Sequence, residues 1–202
     1  MKAMKWHPYP VGISYGELIL WIVFIALVIF WICYWRVDFT YLKSTLEIRS
    51  KAHIETELTA RIFGHLSNLL CGLLLLPASR TGLLVEVFGV PYERTLKYHR
   101  ILGIITYFTV TMHALIWWLK WAAEGNLFHN VVNYNDIIIS PYRNAYDDYT
   151  TTIVELAWLL LTLSIAMAFF VRRKNYEWFQ YSHKYIGIIF YVTAIIHGWC
   201  FW

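Results

Sequence analysis

Charged residues are scarce in this chain: Lys, Arg, Asp and Glu make up 15% of its 202 residues, against about 25% in ordinary soluble domains. Cysteine is also rare, and Cys33, Cys71 and Cys200 have neither the spacing of a metal site nor that of a disulfide framework. No glycine-rich phosphate loop occurs, so we expect no nucleotide site among these residues. The net charge of +4 comes from short basic stretches beside apolar segments, which argues against nucleic acid as a partner.

Long apolar segments account for the missing charge. Hydrophobic residues make up 59% of the chain, and five segments approach the ~20 residues that a membrane-spanning helix needs. We predict membrane helices at about 15–35, 58–79, 96–120, 151–171 and 178–202. The predicted fold is therefore an all-α, polytopic membrane helix bundle of five helices, which forms a single domain over residues 1–202 and is surrounded by membrane lipid.

The basic residues are unevenly distributed between the two sides of such a bundle. Along an alternating five-helix path, ten of the seventeen Lys and Arg residues fall on the side that carries the N-terminus. Because cytoplasmic loops carry an excess of Lys and Arg, we predict a cytoplasmic N-terminus. The loop over 36–56 and the loop that follows Glu124 are then external. We expect an integral protein of the plasma membrane.

Two of the predicted helices carry histidines at the same spacing. In each helix thirteen residues separate the two histidines, which are His99 and His113 in one and His183 and His197 in the other. Fourteen helical steps advance about 21 Å and return to within about 40° of the same face. If the two helices stand side by side and parallel, His99 meets His183 at one level and His113 meets His197 at the other. We therefore predict two stacked bis-histidine sites.

Haem iron suits these sites better than zinc, because zinc prefers four clustered ligands whereas these histidines form two distant pairs. Ionisable residues within membrane helices are usually functional, and two axial histidines favour electron transfer over oxygen binding at the iron. Phe190, seven residues from both His183 and His197, either lies between the haems or is an ordinary core residue. Basic residues at the inner edge are candidates for binding the haem propionates; they are Arg80, Arg94, Lys97, Arg100 and Lys184.

Arg61 and His65, one turn apart on the outer half of the second helix, are candidates for an acceptor site together with Trp117. An arginine within a membrane is costly unless it faces a polar cavity, a partner or a cofactor carboxylate. A second interpretation stays open, in which the long side chain of Arg61 reaches the interface and has no further role. The predicted acceptor cavity is bounded by these three residues and by the external loop after Glu124.

The runs LLLLPASR at 73–80 and YERTLKYHRILG at 92–103, followed by His113, resemble the ferric reductase-like transmembrane domain superfamily. That superfamily includes the plant and fungal ferric-chelate reductases and the NADPH oxidases. The resemblance implies six helices, two b-type haems, and a cytoplasmic dehydrogenase with FAD and NADPH that feeds the inner haem. By position in the family pattern, the pair that begins with His99 and His183 would ligate the inner haem, and the second pair the outer one.

Two arginines of this chain also match the family pattern, whereas other features of the chain differ from it. Arg61 and Arg80 look like the NADPH oxidase arginines near the outer acceptor site and the haem propionates respectively. The sixth helix and the dehydrogenase of the family have no counterpart in these 202 residues, which suggests a fragment or a split protein. The spacing of the second histidine pair favours ferric reductases over NADPH oxidases. Trp117 favours the same assignment, because NADPH oxidases have a further histidine at that position.

We therefore predict a membrane oxidoreductase: a cytochrome b that carries single electrons from a flavin dehydrogenase domain or subunit to an external acceptor. The acceptor that we favour is chelated ferric iron. One alternative is an NADPH oxidase haem core that reduces dioxygen to superoxide, and another is a relay subunit that is not itself an enzyme. A haem-free helical scaffold would leave the two equal histidine spacings unexplained.

Overall fold

The computed structural model describes residues 15–44, 51–78, 82–131 and 146–199, and every regular element among them is helical. The helices are α1 (Tyr15–Ser44), α2 (Lys51–Leu75), α3 (Leu83–Glu86), α4 (Tyr92–Ala123), α5 (Leu127–Val131), α6 (Tyr146–Ala166) and α7 (Tyr176–Trp199). A 3-10 turn, Leu76–Ala78, continues α2, and a π-helical turn, Met167–Val171, continues α6. The predicted all-α class is confirmed for these residues, among which no strand occurs.

Within the described ranges, three helices are long and apolar enough to cross a membrane, over Tyr15–Asp38, Ile54–Ala78 and Tyr92–Ala123. A fourth apolar segment, Glu155–Val171, is shorter. Large apolar side chains point outward from α1, and Val37 is 72% exposed. Such a surface suits lipid better than water, because soluble proteins rarely expose large contiguous apolar patches. Helical membrane spans are thus supported, while the count of five stays a prediction.

The helices run past the bounds that the apolar pattern predicted. The first was expected to end near residue 35 but continues to Ser44, and the second was expected to begin near residue 58 but begins at Lys51. The third extends beyond 96–120 at both ends, and the fourth begins at Tyr146 instead of residue 151. The apolar pattern marks the hydrocarbon core of a membrane, whereas the backbone hydrogen bonds of a helix continue into the polar interface.

Two helix ends follow from local sequence chemistry. At the end of α4, Gly125 adopts a positive φ of 75° and the Asn126 N–H donates to the Trp121 carbonyl at 2.8 Å. This is the glycine-terminated hydrogen-bond pattern that closes many helices. At the start of α7, the side-chain carbonyl of Asn175 accepts from the Trp178 N–H at 3.0 Å, as an N-terminal cap. These caps fix where the histidine-bearing helices end and begin.

The chain divides into two compact units, Met1–Thr109 and Val110–Trp202, and the division falls within α4. In the first unit α1 packs against α2, and Leu70, Leu74 and Leu102 form a buried apolar cluster between α2 and α4. In the second unit α6 packs against α7, and the π-helical turn contacts both. Each unit holds part of the predicted histidine constellation, because His99 lies in the first unit and the other three histidines lie in the second.

Candidate functional site

The second unit brings one predicted histidine pair together. His113 of α4 and His197 of α7 lie with ring centroids 6.3 Å apart and ring planes inclined by 56°. A histidine nitrogen binds a transition metal at about 2.0–2.1 Å and lies roughly 1.1 Å from its ring centre, so two imidazoles on opposite sides of one metal place their centroids roughly 6 Å apart. The observed separation fits one six-coordinate iron between these two rings.

His99 is oriented by a backbone carbonyl of the first unit. Its Nδ1 lies 3.1 Å from the carbonyl oxygen of Leu74, near the end of α2. A carbonyl oxygen only accepts hydrogen bonds, so Nδ1 carries the proton and donates it. Nε2 then keeps its lone pair, which is the arrangement found in metal-binding histidines whose second nitrogen is held by the protein. The contact fits ligation through Nε2 of His99.

His183 is oriented by two neighbours in the second unit. Its Nδ1 lies 2.9 Å from the hydroxyl oxygen of Ser164 on α6, and Ser164 is only 6% exposed. The ring of Phe179, one turn earlier on α7, lies 4.9 Å from the His183 ring between centroids, tilted by 34°. Since His99 and His183 belong to different units, their predicted pairing at one haem stays a prediction.

Two buried residues lie midway between the histidines of their helices. Phe190, 4% exposed, is seven residues from both His183 and His197 on α7. Thr106 holds the same position on α4, between His99 and His113, and is 0% exposed. Its hydroxyl has no hydrogen-bond partner within the part of the chain that the structure describes. Sequence reasoning missed Thr106, although its midway position was a usable signal.

The residues predicted for an acceptor site are divided between the units. His65 of α2 stacks on Trp35 of α1, with ring centroids 3.6 Å apart and planes inclined by only 16°. The backbone carbonyl of His65 accepts from Trp31 Nε1 at 2.8 Å. Arg61, one turn earlier, is half-buried. These contacts tie α1 to the helix that carries Arg61 and His65.

Trp117 lies in the second unit, on α4. The ammonium group of Lys120 lies 4.9 Å from the Trp117 ring centroid, and Trp121 lies 5.7 Å from it between centroids. The cation over the ring is a favourable contact of the kind that aromatic faces make with lysine. A cavity shared by Trp117 with Arg61 and His65 stays a prediction.

A buried carboxylate near the start of α1 was not anticipated. Glu17 is 0% exposed and accepts hydrogen bonds from the Arg94 guanidinium at 2.6 Å and from the Tyr98 hydroxyl at 2.9 Å. The signal in the sequence that could have found it is one carboxylate in the first turn of an apolar helix. Arg94, predicted to bind a propionate, therefore also anchors α1 to α4. Of the other predicted propionate residues, Arg100 and Lys184 are exposed, and Arg80 lies outside the described residues.

A second set of polar contacts joins α4 to α6. Trp118 Nε1 donates to the Glu155 carboxylate at 2.6 Å, and Trp158 Nε1 donates to the Thr111 hydroxyl at 3.1 Å. The two indole rings meet edge to face, with centroids 5.3 Å apart. These bonds hold the part of α4 that carries His113 against α6.

Clusters of three or more His, Cys, Asp or Glu side chains arranged to hold a metal ion do not occur among the described residues. A haem does not require such a cluster, because the macrocycle supplies four nitrogens and the protein adds the axial ligands. The paired arrangement of His113 and His197 therefore suits a haem iron better than a bare metal ion.

Comparison with known proteins gives a consistent result. Residues 63–195 match the family model described as ferric reductase like transmembrane component. The chain is 28% identical over 141 residues to ferric reduction oxidase 7, chloroplastic, of Arabidopsis thaliana, an alignment that covers 70% of the chain and 18% of that relative. It is 23% identical over 201 residues to ferric reductase transmembrane component 6 of Saccharomyces cerevisiae, covering 95% of the chain and 25% of that relative. The chain thus spans a quarter or less of the length of these curated relatives.

Proposed function

Since the chain belongs to the family of ferric reductase like transmembrane components, we propose that it is the haem-bearing membrane part of an oxidoreductase. Its role is to carry single electrons across a membrane to an external ferric chelate. The family match and three helices of membrane-spanning length support an integral membrane protein. The relatives named above are ferric reductases or ferric reduction oxidases, which favours ferric iron over dioxygen as the acceptor.

The observation that carries this proposal is the His113 and His197 pair. Two imidazoles with ring centroids 6.3 Å apart are spaced as two ligands of one iron would be. Ligation of a haem by both histidines would favour electron transfer over binding of oxygen at the iron. The contacts of His99 Nδ1 with the Leu74 carbonyl and of His183 Nδ1 with the Ser164 hydroxyl support ligation of a second haem, because an imidazole that the protein holds at Nδ1 would bind iron through Nε2.

Two b-type haems, when bound, supply the one-electron redox chemistry of this function. His113 and His197 would hold the outer haem, and His99 and His183 the inner one. The cations that would neutralise the propionates are Arg80, Arg94, Arg100 and Lys184. Phe190, buried and midway between His183 and His197, would lie between the two haems.

Electrons would enter from a donor on one side of the membrane and leave to an acceptor on the other. We propose a flavin dehydrogenase, carried on another domain or subunit and using FAD and NADPH, as the donor on the cytoplasmic side. The acceptor site would use Arg61, His65 and Trp117 on the opposite side. The guanidinium of Arg61 suits an anionic ferric chelate, since charged hydrogen bonds to carboxylates are strong and directional. The plasma membrane and a cytoplasmic N-terminus complete the proposal.

Vesicle reconstitution tests the transfer of electrons without the dehydrogenase. The chain is inserted into lipid vesicles that contain ferric EDTA and a dye specific for ferrous iron, and an impermeant reductant is added outside. We expect ferrous iron to appear inside vesicles that hold the wild-type chain and not inside vesicles that hold the His113→Leu variant. Equal rates for the wild type, the variant and empty vesicles would refute the proposal.

A further inference from the structure

The hydroxyl of Ser164 makes an uncommon bond for a serine in an apolar helix. Such hydroxyls usually return to a carbonyl of their own helix, as Ser182 does with Trp178 at 2.7 Å. Ser164 instead reaches α7, where its oxygen lies 2.9 Å from Nδ1 of His183. Because Ser164 is buried, water does not compete freely for this bond.

The direction of this bond follows from the requirement for a metal ligand. A neutral imidazole has one protonated nitrogen and one with a lone pair. If Nε2 of His183 is to bind iron, Nδ1 must carry the proton and the Ser164 oxygen must accept it. His99 has the same arrangement with the Leu74 carbonyl, whose oxygen can only accept a hydrogen bond. The two histidines predicted for the inner haem thus have matching supports.

We propose that Ser164 is a positioning residue for His183: its hydroxyl accepts a hydrogen bond from Nδ1, orients the ring for ligation through Nε2 and makes the ring a stronger donor to a haem iron. The inference rests on the proposed function and assigns a role to a side chain of α6, which supplies no ligand. A partner that accepts from the second nitrogen of a ligating histidine raises the basicity of the ligand. A more basic ligand stabilises ferric over ferrous iron, so Ser164 lowers the potential of the haem that His183 ligates.

Ser164 orients His183 from outside its own helix. Phe179 also contacts the ring, but it lies one turn away on α7 and moves with that helix. Ser164 lies on α6, which packs along α7. Its bond therefore fixes the rotation of the imidazole relative to the helix pair.

Three variants test this role, namely Ser164→Ala, Ser164→Thr and, as the matched control, Ser182→Ala. Ser182 adjoins His183 in sequence, but its hydroxyl bonds the Trp178 and Phe179 carbonyls of its own helix. Each purified chain is measured for haem content, for the midpoint potentials of its haems by redox titration, and for the low-spin ferric signals by electron paramagnetic resonance.

We expect Ser164→Ala to keep two haems, to raise one midpoint potential while the other stays unchanged, and to shift one low-spin signal. Ser164→Thr keeps the hydroxyl and should restore the wild-type values, and Ser182→Ala should match the wild type. Loss of one haem in Ser164→Ala alone would support the same role. Unchanged potentials and signals in Ser164→Ala, or an equal shift in Ser182→Ala, would overturn it.

A second variant covers the case in which Ser164→Ala does not fold. Ser164→Cys then replaces it, because sulfur is a weaker acceptor of similar size. Ser164→Cys should raise the same midpoint potential by a smaller amount, and an unchanged potential would overturn the role. A wild-type chain without two haems would contradict the proposed function itself, whatever the variants do.

Discussion

Glu17, fully buried in the first turn of α1, accepts a 2.6 Å hydrogen bond from Arg94 in the first turn of α4. The residues are 77 positions apart in the chain, and Glu17 lies outside the matched region 63–195. The backbone approaches closely at the same place, because a Cβ on Gly16 would collide with the Phe88 carbonyl oxygen. α1 is thus fastened to α4 at Arg94, five residues before His99.

This pair predicts energetic coupling between Glu17 and Arg94. We expect Arg94→Ala to lower thermal stability in detergent, and the double variant with Glu17→Ala to lose less than the sum of the two single variants. Removing one partner of a buried pair costs about 3–5 kcal/mol, and we expect less here because the Arg94 side chain is 39% exposed. Ile104→Ala, at a 50% exposed position of the same helix, is the control. Strictly additive losses would show that the contact does not stabilise the fold.

The histidine pairs predict which haem each variant loses. His113→Leu and His197→Leu should each leave one haem per chain, and the double variant should also leave one, because both residues serve the same iron. His65→Leu should keep two haems, since its ring is stacked on Trp35 and it is not one of the proposed ligands. Pyridine haemochrome analysis measures the content. A His113 and His197 double variant without any haem would contradict the assignment of the pairs.

The Trp118 and Glu155 contact predicts a loss of stability without a loss of haem ligands. Glu155→Ala removes the acceptor of a 2.6 Å bond and leaves the indole N–H of Trp118 without it. A buried donor that loses its acceptor costs about 1–3 kcal/mol. Thermal unfolding should show this loss, whereas Leu159→Ala, at a 55% exposed position of the same helix, should change little. Equal effects of the two changes would mean that the bond contributes nothing.

We expect the positive charge of Arg61 to make the protein selective for anionic acceptors. In vesicles with the chelate on the acceptor side, Arg61→Gln should raise the half-saturating concentration of ferric citrate by about tenfold, the equivalent of one charged hydrogen bond of about 1.5 kcal/mol. The maximal rate should change less. A neutral ferric complex serves as the control and should be reduced equally well by both chains.

The same assay separates ferric iron from dioxygen as the acceptor. With a dye in place of the chelate, reduction by the wild-type chain should be insensitive to superoxide dismutase. Reduction that the dismutase abolishes would favour the superoxide-producing alternative and would contradict the assignment as a ferric reductase.

The sequence was sufficient to predict the helical class and to single out His113 and His197, because both follow from patterns within single helices. The sequence was not sufficient to predict the roles of Ser164, the Leu74 carbonyl or Glu17. Each of these groups contacts a residue of another helix, and no local sequence pattern indicates such a contact. Glu17 illustrates the reason: its partners lie 77 and 81 positions away. The helix ends were misplaced because hydropathy reports the membrane core, not the extent of backbone hydrogen bonding.

The most direct test of the proposed function is a reduced-minus-oxidised absorption spectrum of the purified chain, with its haem quantified as the pyridine haemochrome. The paired histidines predict two low-spin b-type haems per chain, both reducible by dithionite. A folded chain that binds no haem when expressed with an adequate haem supply would contradict the proposal.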